Sequence, residues 1–290
     1  MQFIHIIFIV LFANTCRAQE LYPLKAAQEA TKENLQKPSP DADGRVQTLN
    51  KKGAMSPKLD KISQAFVEFA ATPGVHVLEI GAGYGLACNE ALKLGAEHYT
   101  ANDLDVRHLK ILARDIKEIN PDYLANITLI AGEFPNKVEF PSQRYDAILI
   151  ARVLHFMTPD KVMTTLKAIY KILKPGGRVY AVMLSPYVRG YASFISEFER
   201  RIQSKSPFPG YVENLADFAD KTIISEKALK NMEKSFLFFD VRAAQCCFEG
   251  AGFKVETTLE MPLAYKSQIW QLNGRENIGV IAQKPVTVTD

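Results

Sequence analysis

The stretch Val77-Leu78-Glu79-Ile80-Gly81-Ala82-Gly83-Tyr84-Gly85 decides the fold of this chain. An apolar run ends in an acid and is followed by three glycines at alternate positions. This pattern indicates a buried strand that enters a tight turn, where the lack of side chains lets a ligand approach the backbone. Apolar residues at helical spacing follow from Leu86 to Leu94, so the turn opens a helix. A strand, a glycine turn and a helix in this order form the ligand-binding corner of a doubly wound α/β fold.

Alternating strand and helix signals continue outward from this corner. The apolar runs predict strands at 75–80, 98–103, 126–131, 145–151 and 177–184. Apolar residues at helical spacing mark the helices between them, with Leu109, Leu112, Ile116 and Ile119 on one face and Val162, Leu166, Ile169 and Leu173 on another. Near-continuous apolar strands between amphipathic helices indicate a parallel sheet that is covered on both faces.

The rhythm changes near the end of the chain. Asp240 to Glu249 is predicted to form a helix that is stopped by Gly250 and Gly252. Two further strands, at 253–263 and 277–284, follow with no helix between them, so they are expected to pair antiparallel.

The segment 185–239 lies between the fifth strand and the last helix and is longer than an ordinary connection. It holds ten aromatic residues, about twice the density of the whole chain. These residues predict a small helical insertion with its own apolar core, and the same segment is a candidate lid over a substrate.

The composition is that of a globular protein, with 47% hydrophobic and 23% charged residues. A net charge of +3 and the lack of a dense Lys/Arg stripe argue against a nucleic-acid partner. The four cysteines, Cys16, Cys88, Cys246 and Cys247, have no spacing that suggests a metal site or a disulfide framework.

The N-terminus predicts a secretory signal peptide over residues 1–18. Ile4 to Ala13 is almost purely apolar but too short for a stable membrane anchor, and the small-x-small pattern Cys16-Arg17-Ala18 follows. Cleavage after Ala18 would give an exported protein. No Lys or Arg precedes the apolar run, so a cytoplasmic protein with an N-terminal helix or a later start at Met55 is the alternative.

The glycine turn is not the G-x-G-x-x-G of dinucleotide-binding domains, because Leu86 stands at the sixth position. Its G-x-G-x-G form, with Glu79 just ahead, resembles the first motif of the class I S-adenosylmethionine-dependent methyltransferases. The turn Leu173-Lys174-Pro175-Gly176-Gly177-Arg178-Val179 before the fifth strand also resembles that family. The resemblance runs from about Ile62 to Lys284 and implies that Gly81 and Gly83 face the methionine end of the cofactor, which Glu79 helps to orient.

Two further strand ends carry residues to which the resemblance gives a role. Asp103 ends the second strand, 22 residues beyond Gly81, where an acid of this family binds both ribose hydroxyls; an acid there could also simply cap a helix. Ala131-Gly132-Glu133-Phe134 ends the third strand, where the family often has Gly-Asp and the acid binds the adenine amino group. Phe134 would place its backbone N–H near the adenine or would only pack.

The segment Ala151-Arg152-Val153-Leu154-His155-Phe156 after the fourth strand lacks the motifs of base, glutamine, arginine and catechol-type methylases. It resembles the broad group that acts on small molecules, which often has a leucine-histidine pair here. His155 is a candidate general base, because an imidazole titrates near neutral pH. A histidine that packs and hydrogen bonds at the start of the next helix is the alternative.

The sequence therefore predicts a Rossmann-like, doubly wound α/β fold with a mostly parallel seven-stranded sheet, an antiparallel last strand and a helical insertion after the fifth strand. The expected parts are the signal peptide at 1–18, a polar extension at 19–57, the methyltransferase core at 58–184, the insertion at 185–239 and the completion of the sheet at 240–290. The resemblance implies methyl transfer from S-adenosylmethionine to a small molecule. A nicotinamide-dependent oxidoreductase and a non-catalytic cofactor-binding protein are the alternatives.

Overall fold

The structure is a computed structural model and describes residues 19–224, 226–231 and 234–286. The expected signal peptide, residues 1–18, lies outside the described residues. Within the described part of the chain, no helix has both the length and the apolar character needed to cross a bilayer.

The described residues form twelve strands and eight α-helices. The strands are β1 Gln19–Leu21, β2 Val46–Gln47, β3 Ala54–Met55, β4 His76–Ile80, β5 His98–Asp103, β6 Ile127–Ala131, β7 Tyr145–Ala151, β8 Leu173–Leu184, β9 Tyr211–Val212, β10 Phe236–Leu237, β11 Lys254–Met261 and β12 Asn277–Gln283. The helices are α1 Pro23–Lys32, α2 Lys61–Ala70, α3 Leu86–Lys93, α4 Val106–Ile119, α5 Pro159–Ile172, α6 Ile195–Gln203, α7 Glu226–Asn231 and α8 Val241–Gly250.

Eight of the strands form one sheet in the order β1-β6-β5-β4-β7-β8-β12-β11. The five strands from β6 to β8 in this order run parallel, and β12 lies antiparallel between β8 and β11. The chain moves outward from β4 through β5 to β6 and then returns to place β7 on the other side of β4. The doubly wound, mostly parallel sheet and its antiparallel last strand are thus confirmed, and the switch point between β4 and β7 is where such folds bind ligands.

The sheet has one strand more than the seven that the sequence predicts. β1 pairs antiparallel with β6, with Gln19 opposite Ala131 and Leu21 opposite Leu129. The helix α1 follows it and packs on α4, with the buried Ala26 on its inner face. The polar extension therefore contributes an edge strand and a helix to the core. A three-residue strand is too short to leave a periodic signal in the sequence.

The alternation of side chains along the strands produces two separate cores. On one face, Val77 and its neighbours pack with α2, α3 and α4. On the other face, Leu78 and its neighbours pack with α5 and α8. The result is a three-layer arrangement, and the layers hold the carboxyl ends of the parallel strands at one edge.

The insertion 185–239 packs around its own apolar cluster, which includes Tyr191, Phe194, Phe198 and Phe238. It is not purely helical, because β9 and β10 pair with each other antiparallel, Val212 opposite Phe236. Strands of two residues again escape a periodicity analysis.

Candidate functional site

A cleft of about 1300 Å³ opens at the carboxyl ends of the parallel strands, around the switch point. It exceeds the roughly 300–1000 Å³ of an ordinary small-molecule pocket, so it has room for two ligands side by side. The glycine turn, Asp103, Glu133 and His155 all line it. The tertiary structure thus brings the candidate residues from four strand ends into one cavity.

The Gly81–Gly85 turn requires glycine for backbone conformation and for packing. The φ angles of its three glycines are +79°, +53° and +77°, in the left-handed region that other residues rarely adopt. A Cβ on each, taken in order, would collide with Val153, Met55 and Leu112. The backbone N–H groups of Gly81 and Ala82 both donate to the Asn102 carbonyl, at 2.8 and 2.9 Å, which fixes the turn against β5.

Asp103 is buried and joins the glycine turn to the end of β5. Its Oδ2 accepts a hydrogen bond from the Gly83 N–H at 2.8 Å, and its Oδ1 accepts one from the Asp105 N–H at 2.8 Å. The cap of helix α4 is Asp105, whose side chain accepts from the Arg107 N–H. Asp103 is therefore not the helix cap that the sequence left as an alternative, and a carboxylate of this kind keeps acceptor capacity at Oδ2 for a ligand hydroxyl.

His108 holds Asp103 from behind, and sequence analysis missed it. Its Nδ1 lies 3.1 Å from Asp103 Oδ1, and its Nε2 accepts a hydrogen bond from the Leu49 N–H at 3.0 Å. Because Nε2 is an acceptor, we assign the ring proton to Nδ1, which donates to Asp103. The sequence does carry one indication of this contact, because the histidine follows the acid by five residues and lies at the start of a helix.

Glu79 is buried beneath the turn. Tyr99 Oη donates to Glu79 Oε2 at 2.7 Å. Burial raises the pKa of Glu79 to about 8, the charge of Asp103 adds to the rise, and the Tyr99 hydrogen bond opposes it. In the absence of a cation beside it, this carboxyl therefore carries a proton at neutral pH. A cationic ligand group would favour the charged form.

Glu133 and Phe134 occupy the end of β6 as expected, but in different environments. Glu133 is exposed and accepts a hydrogen bond from Asn136 Nδ2 at 3.0 Å. The ring of Phe134 is buried and packs on Phe140 with ring centroids 5.7 Å apart. The ring itself therefore packs in the core, and the role of the Phe134 backbone N–H beside an adenine stays a prediction.

His155 is buried in the wall of the cleft. Its Nδ1 accepts a hydrogen bond from the Leu184 N–H at 3.2 Å, and its ring stacks on Phe236 with centroids 4.8 Å apart. Burial lowers the pKa of His155 to about 3, and the charge of Arg152 acts in the same direction. A neutral ring whose Nδ1 is occupied favours the packing role over that of a general base.

The N-terminal hairpin, β2 and β3, covers the glycine turn. Tyr84 Oη donates to the Gln47 carbonyl at 3.0 Å, Met55 fills the space beside Gly83, and Leu49 bonds His108. The sequence predicted a lid only in the insertion. The insertion does border the cleft, through Tyr191 and Phe236 among others.

The far side of the cleft is built by the loop between β11 and β12. Tyr265 and Trp270 line it, together with Asn277 at the start of β12. The loop is tied to the N-terminal segment, because Ser267 Oγ donates to Asp43 Oδ2 at 2.6 Å. Neither the loop nor this tie was predicted, since the two segments are more than 200 residues apart.

Among the described residues, no group of three or more His, Cys, Asp or Glu side chains is arranged to hold a metal ion. The polar groups that line the cleft include carboxylates, amides, hydroxyls, imidazoles, ammonium groups and guanidinium groups. Such a set suits an organic ligand with hydroxyl, amino and anionic groups.

Comparisons with known proteins support this view of the site. Residues 77–177 match a family model described as a methyltransferase domain. A highly reducing polyketide synthase of Aspergillus terreus is 35% identical over 116 residues, which are 39% of this chain and 5% of the synthase. Phosphoethanolamine N-methyltransferase 2 of Caenorhabditis elegans is 27% identical over 179 residues, 61% of this chain and 38% of that protein. The chain thus spans well under half the length of either relative.

The fold has counterparts among solved structures. The 1,6-didemethyltoxoflavin-N1-methyltransferase of Burkholderia thailandensis, solved with 1,6-didemethyltoxoflavin and S-adenosylhomocysteine, superimposes with a TM-score of 0.51. The match covers 78% of this chain and 77% of that one at 16% identity, so it bears on the fold alone. The matched segment 77–177 contains the glycine turn, Asp103, Glu133 and His155. Residues 77–177 are thus similar to the methyltransferase-domain family, and the fold is that of S-adenosylmethionine-dependent methyltransferases of known structure.

Proposed function

We propose that this protein transfers a methyl group from S-adenosylmethionine to a small-molecule acceptor. The observation that carries the proposal is the hydrogen bond from the Gly83 N–H to Asp103 Oδ2, at 2.8 Å, inside the cleft at the switch point. It joins the two features that the family uses for neighbouring parts of one cofactor, the glycine turn for the methionine end and the acid after the second strand for the ribose.

The residues present fit this cofactor. The turn offers a surface without side chains, Asp103 keeps acceptor capacity for ribose hydroxyls, and exposed Glu133 is free to turn toward an adenine amino group. Glu79, protonated when no cation is near, would lose its proton beside the ammonium of the methionine end. When bound, the cofactor supplies a sulfonium methyl group, which a lone pair of the acceptor takes as the carbon–sulfur bond breaks toward sulfur, with the acceptor's proton passing to water.

The chain's own residues contribute mainly position and exclusion of water. The hairpin covers the turn, and the insertion and the β11–β12 loop wall the other side of the cleft. His155, as a neutral ring with its proton on Nε2, holds Leu184 and Phe236 in place and presents a donor rather than a base. Because a sulfonium is a strong electrophile, holding the two reactants in line can supply much of the rate.

Isothermal titration of the full chain with S-adenosylhomocysteine and with NAD, in parallel, tests the proposal. We expect binding of S-adenosylhomocysteine and none of NAD, because the turn lacks the sixth-position glycine. Binding of NAD alone would overturn the proposal in favour of an oxidoreductase. Binding of S-adenosylhomocysteine with no methyl transfer to any acceptor in a cell extract would favour the non-catalytic alternative.

We also propose that the chain is processed after Ala18 and exported. The support is the apolar core of Ile4 to Ala13 and the small-x-small pattern that ends at Ala18. Gln19 is the first residue of β1 and pairs with Ala131, so cleavage there would leave the described sheet whole.

A further inference from the structure

The carboxyl ends of the strands divide the cleft into two halves. On one side of the switch point, β6, β5 and β4 end at Glu133, Asp103 and the glycine turn. On the other side lie the ends of β7 and β8, followed by the start of β12, which runs antiparallel and so begins at the same edge, with Asn277 opposite Leu184. We call these the cofactor half and the acceptor half.

Arg152 stands at the boundary, directly after β7. Its φ is +61°, an unusual conformation for a residue with a side chain, and its N–H donates to the Val182 carbonyl at 2.7 Å. Strained backbone of this kind is concentrated at functional sites. Arg152 Nη1 pairs with the buried Asp60 Oδ2 at 2.9 Å. Asp60 also caps α2, so the guanidinium is anchored to a fixed point of the core.

The other terminal nitrogen of this guanidinium group differs from Nη1 in its surroundings. Arg152 Nη2 is buried and has no hydrogen-bond partner among the described residues. Two more such atoms belong to residues of the acceptor half, the donor Trp270 Nε1 and the acceptor Asn277 Oδ1. Because unpaired buried polar atoms are costly, three on one wall indicate groups that a ligand completes. The Arg152 side chain is 24% exposed and lines the cleft.

The acids that line the cleft are unevenly distributed. Three of the five acids that line the cleft, Glu79, Asp103 and Glu133, belong to the cofactor half. The other two, Asp41 and Asp60, are already paired with arginines. Seven Lys or Arg residues line the same cleft.

Two of the arginines that line the cleft, Arg45 and Arg152, lie near the Tyr265 side chain. Burial raises the pKa of Tyr265, and the charges of Arg45 and Arg152 act against that rise, so both guanidinium groups lie near this phenol. Aromatic side chains form the surrounding wall, namely Phe156, Tyr191, Phe236 and Trp270. The wall therefore suits a flat apolar body, and the arginine corner suits a negative group attached to it.

We infer that the acceptor is a small molecule with an anionic oxygen group, a carboxylate or a phosphate, which binds Arg152 Nη2 while its nucleophile faces the cofactor half. The inference rests on the proposed methyltransferase function, since it assumes that the cofactor occupies the other half. Guanidinium groups bind both carboxylate and phosphate through paired N–H donors, so the chemistry is shared by the two groups.

The test uses matched pairs of aromatic probes on the full chain saturated with S-adenosylhomocysteine. Benzoate is compared with benzamide, and phenyl phosphate with phenol, by isothermal titration. We expect at least one anion to bind about tenfold or more tightly than its uncharged mate, as a charged hydrogen bond implies. The pair that shows the larger ratio distinguishes carboxylate from phosphate. Equal affinities within both pairs, or no binding of either anion at millimolar concentration, would overturn the inference.

Two variants locate the binding group. Arg152→Met should remove most of the preference for the anion and leave the affinity for the uncharged mate unchanged. Arg152→Lys keeps a charge beside Asp60 if the methionine variant does not fold, and should lose part of the preference because it lacks the second nitrogen. If both variants keep the anion preference, Arg152 is not the binding group and the inference fails.

The affinity for S-adenosylhomocysteine distinguishes a failure of this inference from a failure of the proposed function. It should change little in either variant. A loss confined to S-adenosylhomocysteine would assign Arg152 to the cofactor carboxylate and overturn the inference, while leaving the methyltransferase proposal intact. No binding of S-adenosylhomocysteine to the unaltered chain would instead refute the proposed function.

Discussion

At the scale of single residues, Asp103 is where the backbone of the turn and the proposed ligand compete for the same carboxylate. It accepts hydrogen bonds from Gly83 and Asp105 and faces His108. Asp103→Asn should weaken S-adenosylhomocysteine binding by about 1–3 kcal/mol, because ribose hydroxyls lose a charged acceptor. Isothermal titration measures the loss.

The matched control for this change is Asp146→Asn. Asp146 lies at the start of β7, at the opposite edge of the sheet, where it pairs with Lys174. It should leave the affinity unchanged. Equal affinities in the Asp103 variant and the unaltered chain would remove Asp103 from the binding site.

Glu79 makes the stability of the empty protein depend on pH. Its pKa is raised from 4.5 to about 8 by burial, so the folded chain keeps a proton that the unfolded chain releases. The contribution of Glu79 to the free energy of unfolding is therefore greatest below pH 4.5 and falls as the pH rises toward about 8. Urea unfolding between about pH 5 and pH 8 should show this fall, and Glu79→Gln should abolish most of it.

The exposed Glu118 provides the comparison, because Glu118→Gln removes a carboxyl from the surface of α4. This variant should retain the full pH dependence. A slope that is the same with and without the Glu79 carboxyl would show that another group is responsible.

Two glycines with nearly the same backbone conformation separate strain from packing. Gly85 has a φ of +77° and a Cβ there would collide with Leu112, whereas Gly74 has a φ of +73° and open space around the same position. Gly85→Ala should lower the free energy of unfolding by about 1–3 kcal/mol more than Gly74→Ala, since only the first adds overpacking to strain. If urea unfolding gives the same loss of unfolding free energy for both variants, Leu112 moves aside without a cost in free energy.

At the scale of elements, the β2–β3 hairpin is held over the glycine turn by a few polar and apolar contacts. Tyr84, Met55 and His108 make them. A ligand beneath the hairpin should tighten it, so S-adenosylhomocysteine should slow tryptic cleavage at Lys51 and Lys52, which are exposed. Mass spectrometry of the fragments gives the rates.

Lys205, exposed at the end of α6 in the insertion, serves as the internal reference for this experiment. Its cleavage rate should change less than that of the hairpin lysines. Protection of Lys205 alone would indicate that the insertion, and not the hairpin, closes over the ligand.

At the scale of the whole molecule, the N-terminal segment belongs to the fold. β1 pairs with β6, α1 packs on α4, and the hairpin reaches the glycine turn. A chain that starts at Gln19 should therefore unfold at the same temperature as the full chain. A chain that starts at Met55 lacks all three elements and should unfold at a clearly lower temperature, as thermal denaturation would show.

The same two start sites decide the proposal of export. Mass spectrometry of the protein from its native cell should find a mature chain that begins at Gln19. An intact Met1, or a start at Met55 in the cytosolic fraction, would refute processing after Ala18.

What the sequence by itself determined was set by local patterns. The glycines after β4, the apolar strands and the missing helix between β11 and β12 predicted the parallel sheet, its antiparallel end and the position of Asp103. These features are legible because turns and periodic faces depend on residues within a few positions of each other. The carboxyl ends of parallel strands share one edge of the sheet by geometry alone. The sequence therefore predicted that the glycine turn, Asp103 and Glu133 lie close together, and they line one cleft.

Only the tertiary structure decided what surrounds those residues. The eighth strand, the hairpin over Gly83, His108 behind Asp103 and the pairing of Arg152 with Asp60 all join distant parts of the chain. His155 shows the limit most clearly, since burial and the charge of Arg152 lower its pKa and the Leu184 N–H occupies its Nδ1. Burial and long-range contacts have no local signature, because they depend on how separate elements pack against one another.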